Sequence, residues 1–190
     1  MGVIMEEVTW TVDEWQSCYP SKWKGIITPE SMAHPAKYSS KLIRRIYGHM
    51  IAEGWLQAGD SVVDPFGGVA LGALDAMRLG LHWYGVELEP RFVELGRKNI
   101  GLWLSKWINV MPNWGSARLF QGDSRRLLDV LNVRPAATVS SPPYGVDALG
   151  ESRSSEGPLS TSNKRADYQE SNSRNDARYG FEPGQLGAMK

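Results

Sequence analysis

Apolar positions recur along the first three quarters of the chain with two different periods, and their alternation predicts a layered fold. From Ser39 to Trp55, Leu42, Ile46 and Met50 repeat every four residues beside Ile43, Tyr47 and Ile51. That is the spacing of a helix with one buried face, and Ser39 or Ser40 can cap it. Gly59-Asp60 makes a turn, and Ser61-Val62-Val63-Asp64 reads as a short buried strand stopped by Pro65. Gly67-Gly68 follows, then a helix from Ala70 to Leu79 closed by Gly80. Trp83 to Glu87 is a second strand. Pro90 suits a first helical position, and Phe92, Leu95, Ile100, Trp103, Leu104 and Trp107 line a long helix that Pro112-Asn113 breaks. Arg118 to Gln121 is a third strand ending at Gly122-Asp123, with a short helix through Leu131. Ala136 to Ser140 is a fourth strand, halted by Pro142-Pro143. Strands separated by helical segments predict βαβ units, and so a doubly wound α/β fold on a mainly parallel sheet.

Composition sharpens the domain organisation. Every Trp lies at or before Trp114, whereas 16 of the 46 residues from Gly145 to Lys190 are Ser, Gly or Asn and 13 are charged. The expected organisation is a Trp-rich N-terminal extension over 1–33 packing on the domain, a core over 34–144, and a long loop or disordered tail over 145–190. With 21 basic and 21 acidic residues the net charge is zero, so a nucleic-acid or membrane partner has no support from bulk charge and must be argued from local residues. The lone Cys18 excludes an internal disulfide, and with three His it leaves little for a metal site, so no metal is expected. No apolar run approaches the roughly 18 residues that span a bilayer, and the N-terminus lacks a basic leader. A soluble, cytoplasmic single domain without a membrane partner is therefore expected.

Candidate chemistry sits where such sheets bind ligands, beyond the carboxyl ends of the strands. Those ends are Asp64-Pro65-Phe66-Gly67-Gly68, Glu87-Leu88-Glu89, Gly122-Asp123-Ser124 and Ser140-Ser141-Pro142-Pro143-Tyr144. A glycine turn lets a ligand approach the backbone, and an acid ending the second strand can accept both hydroxyls of a ribose. Together they suggest an adenosine-containing cofactor. A dinucleotide site calls for G-x-G-x-x-G, which Gly67-Gly68-Val69-Ala70-Leu71-Gly72 misses, and Asp64 would repel a pyrophosphate. S-adenosylmethionine carries a sulfonium and an ammonium and no phosphate, so acidic strand tips suit it. Ser141-Pro142-Pro143-Tyr144 is a stiff turn with two residues that lack a backbone donor. Its hydroxyl and carbonyl acceptors beside an aromatic ring suit a planar molecule bearing an NH2 group. Taken singly, each of these residues has a bland reading as a turn acid, a capping residue or a core aromatic.

The ordered set resembles the DNA amino-methyltransferases, which modify the exocyclic nitrogen of cytosine or adenine in restriction–modification and phage systems. His34-Pro35-Ala36-Lys37-Tyr38 is similar to the family's cofactor motif before the first helix, and Asp64-Pro65-Phe66-Gly67-Gly68 to its Asp-Pro-Phe-x-Gly turn. The resemblance makes Glu87 the ribose-binding acid and Asp123 the acid near the adenine ring. Ser141-Pro142-Pro143-Tyr144 resembles the catalytic (Asp/Asn/Ser)-Pro-Pro-Tyr motif, whose Ser variant is associated mainly with cytosine. The match runs from about His34 to Tyr144. It implies a Rossmann-like fold of the class I methyltransferase type, S-adenosylmethionine as cofactor, DNA as partner, and in some systems a cognate restriction endonuclease.

The sequence departs from the family in two places. Val69-Ala70 stands where a further small-residue pair ending in Gly is usual. Family members also add three more strands and a target-recognition region, whereas the 46 residues after Tyr144 carry no strand period. The expectation is a fragment lacking its C-terminal strands, or a sheet completed by a partner polypeptide or by self-association. Three alternatives to DNA methylation stay open: methyl transfer to RNA or to a side-chain amide, a non-catalytic cofactor-binding remnant, and, disfavoured by the glycine spacing, a nicotinamide-dependent oxidoreductase.

Overall fold

Among the described residues, four parallel strands in the order β3-β2-β1-β4 form a sheet: β1 (Ser61–Asp64), β2 (His82–Glu87), β3 (Ala117–Gln121) and β4 (Ala137–Thr138). The molecule is a computed structural model that describes residues 18, 23–34, 37–109 and 113–141. β1 pairs with β2 from Ser61↔His82 to Asp64↔Gly85, and β2 with β3 from Trp83↔Ala117 to Glu87↔Gln121. β4 pairs with β1 through Val62↔Ala137 and Val63↔Thr138. It is shorter than the Ala136–Ser140 strand expected, although bonds from Ala136 N–H to Ser61 O and from Val139 N–H to Val63 O extend the contact.

Helices cover both faces, so the chain is a doubly wound, Rossmann-like α/β fold. On one face lie α1 (Ser40–Ala52), α2 (Leu71–Arg78) and α3 (Pro90–Trp107), with a short 3-10 helix at Pro29–Ala33. Strand alternation sends Val62, Trp83 and Leu119 into this layer, where they meet Ile43 and Tyr47 of α1, Leu74 and Met77 of α2, and Ile100 and Trp103 of α3. Trp23 is buried in the same core, and its indole N–H donates to Tyr38 O (2.6 Å). Trp10 and Trp15 lie outside the described residues. The other face carries a smaller cluster, Val63, Val86 and Leu131, which α4 (Leu127–Val130) covers after a 3-10 turn at Ser124–Arg126.

Close approach between layers depends on missing side chains. A Cβ on Gly85 would fall 2.1 Å from Trp83 Cη2, and one on Gly96 2.4 Å from Leu119 Cδ2, so the indole lies flat on β2 and α3 sits against β3. Two helices differ from expectation for local reasons. α1 stops at Ala52 rather than Trp55, because Gly54 turns left-handed (φ +72°) and Trp55 and Leu56 donate back to Met50 O. α2 begins at Leu71, because Ala70 is a left-handed N-cap (φ +64°). Among the described residues no helix is long and apolar enough to cross a membrane.

Candidate functional site

Parallel pairing brings the carboxyl ends of all four strands to one edge, and the turn after β1 forms its centre. Gly67 N–H donates to Val86 O (2.7 Å), which seats the turn on β2. A Cβ on Gly67 would come within 2.7 Å of Leu119 Cδ1 and 3.2 Å of Gly85 Cα. Gly68 is left-handed (φ +51°), and a Cβ there would lie 3.0 Å from Cε1 and Nε2 of His34. Both glycines are buried, and the missing side chains let the turn pack against β2 and Leu119 on one side and under the His34 ring on the other.

The second strand supplies an acid to the same turn. One Glu87 carboxylate oxygen accepts from Gly68 N–H (2.9 Å) and the other from Glu89 N–H (2.9 Å). Burial pushes the Glu87 carboxyl up, and the Glu89 and Gly68 amides partly oppose that rise. The amide of the glycine turn thus faces a carboxylate of the chain itself.

His34, buried and edge-on to Phe92 with ring centroids 4.4 Å apart, is fixed from below by Lys37. The Lys37 ammonium donates to Met32 O (3.0 Å) and to His34 O, and burial lowers its pKa. Pro35 and Ala36, between them in the predicted cofactor motif, lie outside the described residues. Pro65 and Phe66 are half-buried beside the turn.

Asp64 has a different position from the one its type suggested. It is fully buried, and its carboxylate is a brace across the top of the sheet. Oδ1 accepts from Phe66 N–H (3.0 Å) and Ser140 Oγ–H (2.7 Å), and Oδ2 from the Tyr38 hydroxyl (3.0 Å). Burial pushes its pKa up to about 6 against those three donors. Tyr38 is half-buried, and desolvation together with the neighbouring Asp64 carboxylate raises its hydroxyl pKa. Sequence reasoning placed Tyr38 in the cofactor motif and Ser140 at a strand end but did not join either to Asp64, 26 and 76 positions away. For Ser140 the local signal was a polar residue ending an apolar strand.

The remaining candidates follow β3 and β4, and Gly122 N–H donates to Glu87 O (3.0 Å), which sets the Asp123 turn beside the end of β2. Asp123 follows β3 and pairs with Arg125: Nη2 lies 2.5 Å from Oδ2 and Nε 3.0 Å from each oxygen. It also caps the Arg125 amide (2.9 Å), and Arg125 holds its pKa down to about 2. Ser141 is half-buried three residues beyond β4, next to Ser140, whose hydroxyl donates to Asp64. Pro142, Pro143 and Tyr144 lie outside the described residues, so only the first residue of the expected catalytic motif is placed. Among the described residues no group of three His, Cys, Asp or Glu could hold a metal ion.

No family model and no curated protein matches the sequence. Solved structures with a similar fold include a variant of MtNAS in complex with S-adenosylmethionine (20% identity, TM-score 0.41, 54% of this chain and 37% of that one). TrmN from Thermus thermophilus is 19% identical with a TM-score of 0.47 over 64% of this chain and 33% of its own. A methyltransferase from Pyrococcus furiosus is 22% identical with a TM-score of 0.39 over 52% of this chain and 46% of its own. The chain spans about a third to a half of the length of these structures. The order β3-β2-β1-β4 and its helical layers define the fold independently of these distant likenesses.

Proposed function

We propose that the carboxyl edge of the sheet binds S-adenosylmethionine and that the chain is a DNA amino-methyltransferase. Its target would be the exocyclic amine of a flipped-out base, cytosine in preference to adenine. One observation carries the cofactor reading: Gly68 N–H, the amide a phosphate would need, donates to the Glu87 carboxylate. A pyrophosphate at this turn would meet an anion, whereas a phosphate-free adenosine with a cationic sulfur would not. The glycine turn after β1, the His34 ring beside it and the half-buried Glu87 at the end of β2 fit such a group.

Each side chain then has a physical role. Glu87 accepts ribose hydroxyls, exchanging its backbone amides for them, and His34 with Phe92 closes the turn against water. Asp64, tied to Ser140 at 2.7 Å, fixes the strand end from which Ser141-Pro142-Pro143-Tyr144 departs. When bound, the cofactor supplies an electrophilic methyl group. The Ser141 hydroxyl and a nearby carbonyl accept the two amine hydrogens, while the Tyr144 ring stacks on the base. That arrangement concentrates the nitrogen lone pair, otherwise delocalised into the ring, on the side facing the donor. Flipping the base out of the duplex costs a few kcal/mol, which the stacking offsets.

Incubating the chain with duplex DNA and tritiated cofactor, followed by nucleoside mass spectrometry, tests the reading. Methylcytosine modified at the amine is expected. Methyladenine alone would overturn the base preference and keep the reaction class. Label in RNA or protein but not in DNA would overturn the DNA assignment.

A further inference from the structure

Asn99 points inward from α3 and is fully buried, an amide in the apolar stripe that holds Phe92, Gly96, Ile100 and Trp103. A buried amide without partners costs several kcal/mol, so its bonds decide why it is there. Its Oδ1 accepts from Thr28 N–H (2.9 Å), and its Nδ2 donates to Ser31 Oγ (3.0 Å) and Val69 O (3.0 Å). The orientation follows from the partners: an amide N–H can only donate and a carbonyl can only accept. Ser31 Oγ, which accepts from Asn99, also shares a hydrogen bond with Thr28 Oγ1 (2.7 Å).

These partners belong to two pieces of the site that come from separate stretches of the chain and meet at His34 and Gly68. Val69 directly follows the Gly67-Gly68 turn. Thr28 and Ser31 start the 3-10 helix whose C-cap is His34, the residue over Gly68. One amide therefore holds both the floor of the turn and the segment that carries its roof. We propose that Asn99 is a positioning residue for the cofactor site, setting the gap between the Gly68 backbone and the His34 ring. This rests on the S-adenosylmethionine reading above and extends it to a residue that touches no ligand. Asn99→Leu keeps the size and removes all three bonds. The Val69 carbonyl and the Thr28 amide then lose their partner, and roof and floor are free to separate.

The test compares three variants: Asn99→Leu, the milder Ser31→Ala, which removes one bond, and Met77→Ala, a core truncation in α2 away from the turn. Cofactor affinity is measured by calorimetry at 10 °C, where each is shown to be folded, and hydrogen exchange at Gly68 and Val69 without cofactor. Expected are a loss of at least tenfold in affinity for Asn99→Leu, about threefold for Ser31→Ala, and none for Met77→Ala despite its lower melting temperature. Exchange at Gly68 and Val69 should quicken in the first two variants only. Should Asn99→Leu not fold, Ser31→Ala carries the same comparison. Affinity lost equally by Met77→Ala, or unchanged in Asn99→Leu and Ser31→Ala, would overturn the proposal and leave the cofactor reading standing. A wild-type chain that binds no cofactor would overturn both.

Discussion

Replacing Asp64 by asparagine should flatten the pH dependence of stability between pH 4 and pH 7.5. Asp64 is wholly buried, and two opposing effects act on it. Desolvation penalises the ionised carboxylate by several kcal/mol, while donors from Ser140, Phe66 and Tyr38 favour it by about 1.5–3 kcal/mol each. Burial wins: the carboxyl rises from its ordinary 3.8 to about 6. The folded state thus holds the proton more tightly than the unfolded chain. Its contribution to stability is fully present below pH 3.8 and is lost as pH rises through 6. At about 1.4 kcal/mol per pH unit, the displacement amounts to roughly 3 kcal/mol. The asparagine of the variant carries no titrating proton, and groups shared by both chains cancel in the difference. Urea unfolding of wild type and Asp64→Asn, followed by tryptophan fluorescence at several pH values, measures that difference. Relative to the variant, wild type should lose roughly 2–3 kcal/mol between pH 4 and pH 7.5. A difference that stays flat, or that favours wild type as pH rises, would mean that the donors outweigh burial and would refute the reasoning.

Three further outcomes are expected. Gly96→Ala places a methyl 2.4 Å from Leu119 Cδ2 and 3.2 Å from the Val69 carbonyl carbon, so thermal unfolding should show a loss of about 1–3 kcal/mol. Ala70→Gly relieves about 1–2 kcal/mol of left-handed strain at φ +64°. It also removes a fully buried methyl worth about 0.8 kcal/mol and adds unfolded-state freedom worth about 0.4–1 kcal/mol. The melting curve should therefore move by less than about 0.8 kcal/mol in either direction, and a larger gain would show that the turn stores more strain than φ alone implies. Tyr144→Ala should cut methyl transfer by roughly 1–3 kcal/mol of stacking while leaving cofactor affinity in place, and a proportional loss of both in the same assays would make Tyr144 structural.

Local signals in the sequence were enough for the elements whose limits are set by their own residues. β1 starts and ends as expected because Val62-Val63 is bounded by a turn and by Pro65. The glycine turn and Glu87 were legible for the same reason, since a turn after a strand and an acid at a strand end are written in neighbouring positions. What escaped depends on partners far along the chain. The identity of Asp64's donors requires Tyr38 and Ser140 to meet over the sheet. Asn99 interrupts an apolar stripe, yet its partners at Thr28, Ser31 and Val69 come from two other segments. The extent of β4 was overstated because a run of small and β-branched residues does not show how far its neighbour continues, and β1 ends at Asp64.

Titration of the purified chain with S-adenosylmethionine, with NADH in parallel, and with Glu87→Ala as control, tests the central claim most directly. The account predicts saturable binding of one S-adenosylmethionine per chain and no heat with NADH. It also predicts an affinity weakened by about 1.5–3 kcal/mol in Glu87→Ala, the scale of a lost charge-assisted hydrogen bond. Binding of NADH in place of S-adenosylmethionine, or equal affinity in wild type and Glu87→Ala, would contradict it.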